Sequence, residues 1–175
     1  PLQPASQLAQ RGQLLAWDVA RLRERGYKNV LHVRELAWQQ VAYASDLSAA
    51  AGKAAMETLL ASRERPDAVF AVADSLAAGA LRAIAQAGLR VPEDIAVIGF
   101  DGTELAEVVS PQLTTVELPH YEMGYWSACK LISMIEGKDV DTSSCPSARA
   151  SLPPLDAPIP AKIHCALLEK DSVIS

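Results

Sequence analysis

The sequence predicts an α/β fold with an open parallel sheet, and two features of one stretch carry that prediction. Arg65 to Gly102, RPDAVFAVADSLAAGALRAIAQAGLRVPEDIAVIGFDG, reads in order as strand, helix and strand. Each apolar run also stops at an aspartate: Ala68–Ala73 ends before Asp74, and Ile95–Phe100 before Asp101. Small molecules bind such sheets in the crevice outside the carboxyl ends of the strands, so both carboxylates are expected there.

The other elements follow from spacing and punctuation. Leu15, Val19 and Leu22 recur at helical spacing within Arg11–Arg25, with Gly26 as an expected stop. Val30–Val33 and Val41–Ala44 read as short strands, and Leu36–Gln40 fits a helix equally well. Ser48 is a suitable cap for a helix over Ser48–Ser62, whose stripe is Ala55, Met56, Leu59 and Leu60. The alanine-rich segment then starts a helix at Asp74 or Ser75, either able to accept from first-turn amides, with Gly88 beyond its end. After the RVPED turn, Thr114–Glu117 reads as a strand, Pro119 opens a long helix to Glu136, and Gly137 stops it. Asp139–Pro160 is rich in Pro, Ser and Asp and predicts a loop or linker, and Lys162–Leu168 a final strand.

Bulk properties narrow the function. A chain of 175 residues with a formal charge of -5 makes a poor nucleic-acid surface, because phosphate affinity is carried by clustered Lys and Arg. The group Arg21, Arg23, Arg25 and Lys28 is interspersed with Glu24 and reads as a solvated face. Three cysteines, Cys129, Cys145 and Cys165, have no C-x-x-C spacing, so no metal set is expected and a reducing, cytoplasmic setting is. No membrane span or signal segment is visible, and a chain that opens at Pro1 implies a native start upstream.

The stretch RPDAVFAVADSLAAGALRAIAQAGLRVPEDIAVIGFDG, followed by SPQLTTVELPHYEMGYWSACKLISMIEG, resembles the effector-binding region of the lactose/galactose-repressor (LacI/GalR) type of bacterial transcription regulators. A looser likeness upstream, at RGQLLAWDVARLRERGY and SDLSAAAGKAAMETLL, extends the resemblance over most of Arg11–Gly137. It implies periplasmic-binding-protein-like, doubly wound parallel sheets, with the second lobe complete and the first partial. Residues 1–46 are then a partial first lobe, 47–118 the second lobe with its crossover, 119–138 the long helix, 139–160 a linker and 161–175 a terminal strand and tail.

The resemblance further implies a homodimer that binds a sugar or nucleobase-like effector between its lobes and meets operator DNA only through a head with no counterpart in these residues. Neither a cofactor nor a catalytic residue is expected. Three positions depart from the family's pocket: Ala73 stands where asparagine is frequent, Gln13 where arginine is, and Leu47 where an aromatic residue is. These departures imply an atypical ligand or a degenerate site.

The candidate ligand residues are therefore Asp101, Gln13, Leu47, Ala73, Asp74, Leu118 and His120. Asp101 can accept two sugar hydroxyls, or it can serve only the Asp-Gly turn. Asp74 suits a helix cap better than a ligand contact, and Leu118 and His120 flank Pro119 at the crossover. Trp17 and Trp126 read as core residues on helices, with Trp38 open. Two other functions compete with the sensor: a periplasmic sugar carrier of the same architecture, and an enzyme using Asp74 and Asp101 as an acid/base pair.

Overall fold

The structure, a computed structural model, describes residues 5–35, 40–138, 140–142, 144–146, 152–156 and 163–174, with the side chains of 5–18 outside that description. The elements run α1 (Ala5–Val33), α2 (Ala49–Leu60), β1 (Ala68–Phe70), α3 (Asp74–Gln86), β2 (Ala96–Asp101), α4 (Leu105–Val108), β3 (Thr114–Glu117), α5 (His120–Glu136) and β4 (Ala166–Leu168). The four strands lie in the order β1-β2-β3-β4. β1 and β3 run parallel to β2, with Val69 beside Val97 and Gly99 beside Thr115, while β4 returns antiparallel to β3.

The parallel βαβ reading of Arg65–Gly102 is thus the centre of the fold. Crossing from β1 to β2 requires a covering helix, and α3 supplies it. Its Leu76, Ala77, Ala80, Ala83 and Ile84 are buried in one cluster with Ala71 just after β1, Ile95 just before β2, Val97 of β2 and Met56 of α2. Small residues let α2 and α3 approach closely. A Cβ on Gly79 would lie 2.0 Å from the Ala49 carbonyl oxygen, and one on Gly52 would lie 2.3 Å from that of Leu76. The opposite face of the sheet meets α1, where the Tyr27 ring stacks on Phe70 with 6.1 Å between centroids.

Several boundaries differ from expectation. Gly26 does not stop α1, and Val30–Val33 forms its last turn rather than a strand. A helix satisfies its backbone locally, Arg34 N still donating to Val30 O at 3.0 Å, whereas a strand there would need a paired neighbour. Val41–Ala44 is likewise in no ladder of the sheet. Trp38 and most of Leu36–Gln40 lie outside the described residues.

The cap at Ser48 is as expected, its hydroxyl accepting from Ala51 N at 3.1 Å. That of α3 is not: its N-cap is Ala73, without a side-chain bond, and Ser75 donates instead to the Leu47 carbonyl. The described part of the 139–160 segment has no regular element, yet it is tied to α5. Trp126 Nε1 donates to Pro153 O at 2.7 Å, Lys130 Nζ donates to Leu155 O, and Leu155 is buried. Cys129 is buried, as a small apolar residue on a packed helix should be.

Gly79→Ala should therefore destabilise the domain by about 1–3 kcal/mol, as overpacking does, although alanine is the better helix former. A urea midpoint equal to or above that of the parent would show that α2 and α3 are not in backbone contact.

Candidate functional site

The carboxyl ends of β1, β2 and β3 converge on two aspartates with different surroundings. Asp74, the first residue of α3, is only 1 % exposed. Its Oδ2 accepts from Thr103 N at 2.7 Å and Thr103 Oγ1 at 3.0 Å, and its Oδ1 accepts from Thr115 Oγ1 at 2.5 Å. Asp74 thus caps no amide of its own helix; it ties the start of α3 to the loop after β2 and to β3. Gly99 leaves the room this needs, since a Cβ there would sit 2.4 Å from Asp74 Oδ1.

Asp101 ends β2 in an unusual backbone conformation, with φ at 114°. A non-glycine residue held there costs on the order of 1–3 kcal/mol, and such strain clusters at ligand sites. The next residue, Gly102, has φ 71° and packs against Glu117, whose Cα a Cβ would meet at 2.6 Å. Leu118 N donates to Asp101 O at 3.2 Å, which draws the start of the crossover towards the strand end.

Arg23 of α1 completes the arrangement. Its guanidinium lies 3.2 Å from Asp101 Oδ1, donates to Val72 O and sits 3.8 Å above the Phe100 ring centroid. The two side chains keep 20 % and 28 % of their exposure, so the pair is reachable from solvent. Burial raises the Asp101 carboxyl above the ordinary value of 3.8; Arg23 opposes this, and the nearby charge of Asp74 adds to it.

Of the residues singled out from sequence, Asp101, Asp74, Ala73, Leu118 and His120 all come to the strand ends, but in different states. Ala73 is buried as the N-cap of α3; Leu118 is half-buried; His120 is exposed at the start of α5 and also opposes the upward shift of Asp101. Leu47 lines an apolar cavity of about 530 Å³ between α1, α2 and β1, whose lining extends to Val72, the residue whose carbonyl Arg23 holds. The side chains of Gln13 and Trp17 lie outside the described residues. Sequence reasoning missed Arg23, placed on a solvated face, and the partners Thr103 and Thr115. Their signal is three-dimensional: Arg23 bonds residues 49 and 78 positions away.

A raised folded-state value means that Asp101 contributes stability below about pH 3.8, lost as the pH rises through the folded value. Relative to the parent, Asp101→Asn should therefore gain stability between pH 4 and pH 7 in urea titrations. A relative loss over that interval would contradict the burial of this carboxylate.

Residues 16–151 match the periplasmic binding protein-like domain family. The ribose operon repressor of Halalkalibacterium halodurans is 37 % identical over 120 residues, which are 69 % of this chain and 36 % of that protein. The transcriptional repressor CytR of Escherichia coli is 39 % identical over 99 residues, 57 % of this chain and 29 % of its own length. The chain thus spans about a third of these relatives. Among solved structures, a sugar-binding LacI-family regulator from Escherichia coli, complexed with phosphate, superposes with a TM-score of 0.71 at 30 % identity, covering 87 % of this chain and 49 % of that one. The regulator CelR in complex with cellobiose does so at 0.69 and 31 %, covering 86 % and 41 %. Fold, strand-end geometry and these likenesses agree: the chain belongs to the periplasmic-binding-protein-like domain family and corresponds to the effector-binding region of LacI/GalR-type regulators.

Proposed function

We propose that this chain is the sensing and dimerisation region of a bacterial transcriptional regulator, taking a sugar or a nucleobase-like molecule at the carboxyl ends of β1 and β2. Asp101 carries the reading: a strained, solvent-reachable carboxylate at a strand end, held beside a guanidinium and an aromatic face. Together the carboxylate and the guanidinium, itself held over Phe100, offer a hydroxyl-bearing ring an acceptor and donors. Charge-assisted bonds of this kind contribute on the order of 1.5–3 kcal/mol each.

The matched relatives are named as an operon repressor and a transcriptional repressor, which favours a cytoplasmic regulator over a periplasmic carrier. The enzyme reading loses its acid/base pair, because Asp74 is buried and already accepts three hydrogen bonds. Regulation needs no chemistry on the effector, only differential affinity. Moving a two-state equilibrium from 1:99 to 99:1 takes about 5.5 kcal/mol. Contact with operator DNA falls to another part of the regulator, since this region carries a formal charge of -5. Dimerisation is supported by the apolar surface of α5, where Tyr121, Leu131, Met134 and Ile135 are all more than half exposed.

A thermal-shift screen of sugars, polyols and nucleobases should yield a stabilising ligand, to be titrated by calorimetry. Asp101→Ala should weaken its binding by at least about tenfold with an unchanged circular dichroism spectrum, the loss of one charge-assisted bond. Parental affinity in that variant would remove Asp101 from the site.

A further inference from the structure

Where the ladder between β2 and β3 begins, a side chain takes part in one of its rungs. Ile98 lies beside Thr114, so in a regular parallel pair the Thr114 amide reaches for the Val97 carbonyl, one residue earlier on β2. Here the Ser172 hydroxyl stands between them, accepting from Thr114 N at 2.8 Å and donating to Val97 O at 2.5 Å. The serine is itself fixed by backbone, since Val97 N donates to Ser172 O at 2.8 Å. Two residues earlier, Lys170 N donates to Thr114 Oγ1 at 2.8 Å, and that hydroxyl lies 3.1 Å from Lys170 O. Lys170 Nζ is also 3.5 Å from Glu107 Oε1 of α4. Ser172, Val97 and Thr115 are fully buried, and Thr114 nearly so.

We propose that Ser172 is a positioning residue for the effector crevice: its hydroxyl is a spacer that sets the gap between β2 and β3, and through that gap the placing of Asp74 and Asp101. The inference rests on the ligand role proposed for Asp101. Neighbouring strand residues face opposite sides of a sheet, so Thr114 and Thr115 divide the work. Thr114 is held by Lys170 and Ser172, while Thr115 Oγ1 donates to Asp74 Oδ1 across the space that Gly99, its partner on β2, leaves open. Two residues further on, Glu117 lies beside Asp101 and against Gly102. A shift of β3 against β2 therefore reaches both carboxylates. Without the hydroxyl, Thr114 N and Val97 O must close on one another, because buried backbone groups are seldom left unpaired. Closing draws β3 towards β2 and moves Thr115 relative to Asp74. Ser172 bonds neither carboxylate and acts only through this spacing.

The test compares the parent with Ser172→Ala and Ser172→Thr, each checked for folding by circular dichroism. Ser172→Ala should move the Asp74 carboxyl-carbon NMR signal in the ligand-free protein. It should also weaken binding of the ligand found by thermal shift about tenfold, the loss of one hydrogen bond. Ser172→Thr keeps the hydroxyl and should return both readouts towards parental values, which a general loss of stability would not explain. If alanine fails to fold, Ser172→Cys carries the same readouts with a weak donor and acceptor in the same place. An Asp74 signal that stays in place in the folded variant, parental affinity, or a threonine variant no better than alanine would overturn the proposal. If no ligand binds the parent, the effector reading fails by itself, and the Asp74 signal still decides whether Ser172 sets the spacing.

Discussion

The carboxylate of Asp74 is the constraint on which the strand ends depend. It is shut away from water and satisfied by Thr103 and Thr115, from the loop after β2 and from β3. A buried carboxylate is tolerable only with such partners, and breaking them would leave a charge stranded in the interior. The bonds therefore hold the start of α3, the β2–α4 loop and β3 in one arrangement. Gly99 belongs to the same device, because any side chain there would displace Asp74.

That arrangement gives two neighbouring aspartates separate work. With Asp74 committed to the frame, Asp101 is the carboxylate left facing the crevice, and the frame over-determines its strained backbone. Arg23 adds a charge partner that also grips Val72 and covers Phe100, so one guanidinium spans β1 and β2. A ligand reaching Asp101 must share it with Arg23 or move that side chain. In the proposed function, occupancy of the crevice would thus be coupled to the contact between α1 and the sheet, the kind of differential interaction a sensor needs.

The parallel core was legible because its signals are local. Apolar runs ending at Asp74 and Asp101, an alanine-rich helix between them and the proline turn at Val91–Pro92 are adjacent in the chain. The site was legible only in part. Asp101 stands out at the end of its strand, but the partners of Asp74 lie 29 and 41 residues away, so its carboxylate passed for a helix cap. Arg23 shared the pattern of a solvated basic face, and nothing in helical spacing marks one such residue as bonded to the sheet. Val30–Val33 has strand-forming residues, but β-branched composition counts only where a paired neighbour exists.

In the proposed function the ligand meets Asp101 while Asp74 serves the frame. The most direct measurement is the carboxyl-carbon NMR signals of both aspartates, followed as a ligand from the thermal-shift screen is titrated in. The Asp101 signal should move in step with saturation while that of Asp74 stays in place. A still Asp101 signal, with shifts confined to Met56, Leu59 and Val69 around the apolar cavity, would put the ligand elsewhere and contradict the account.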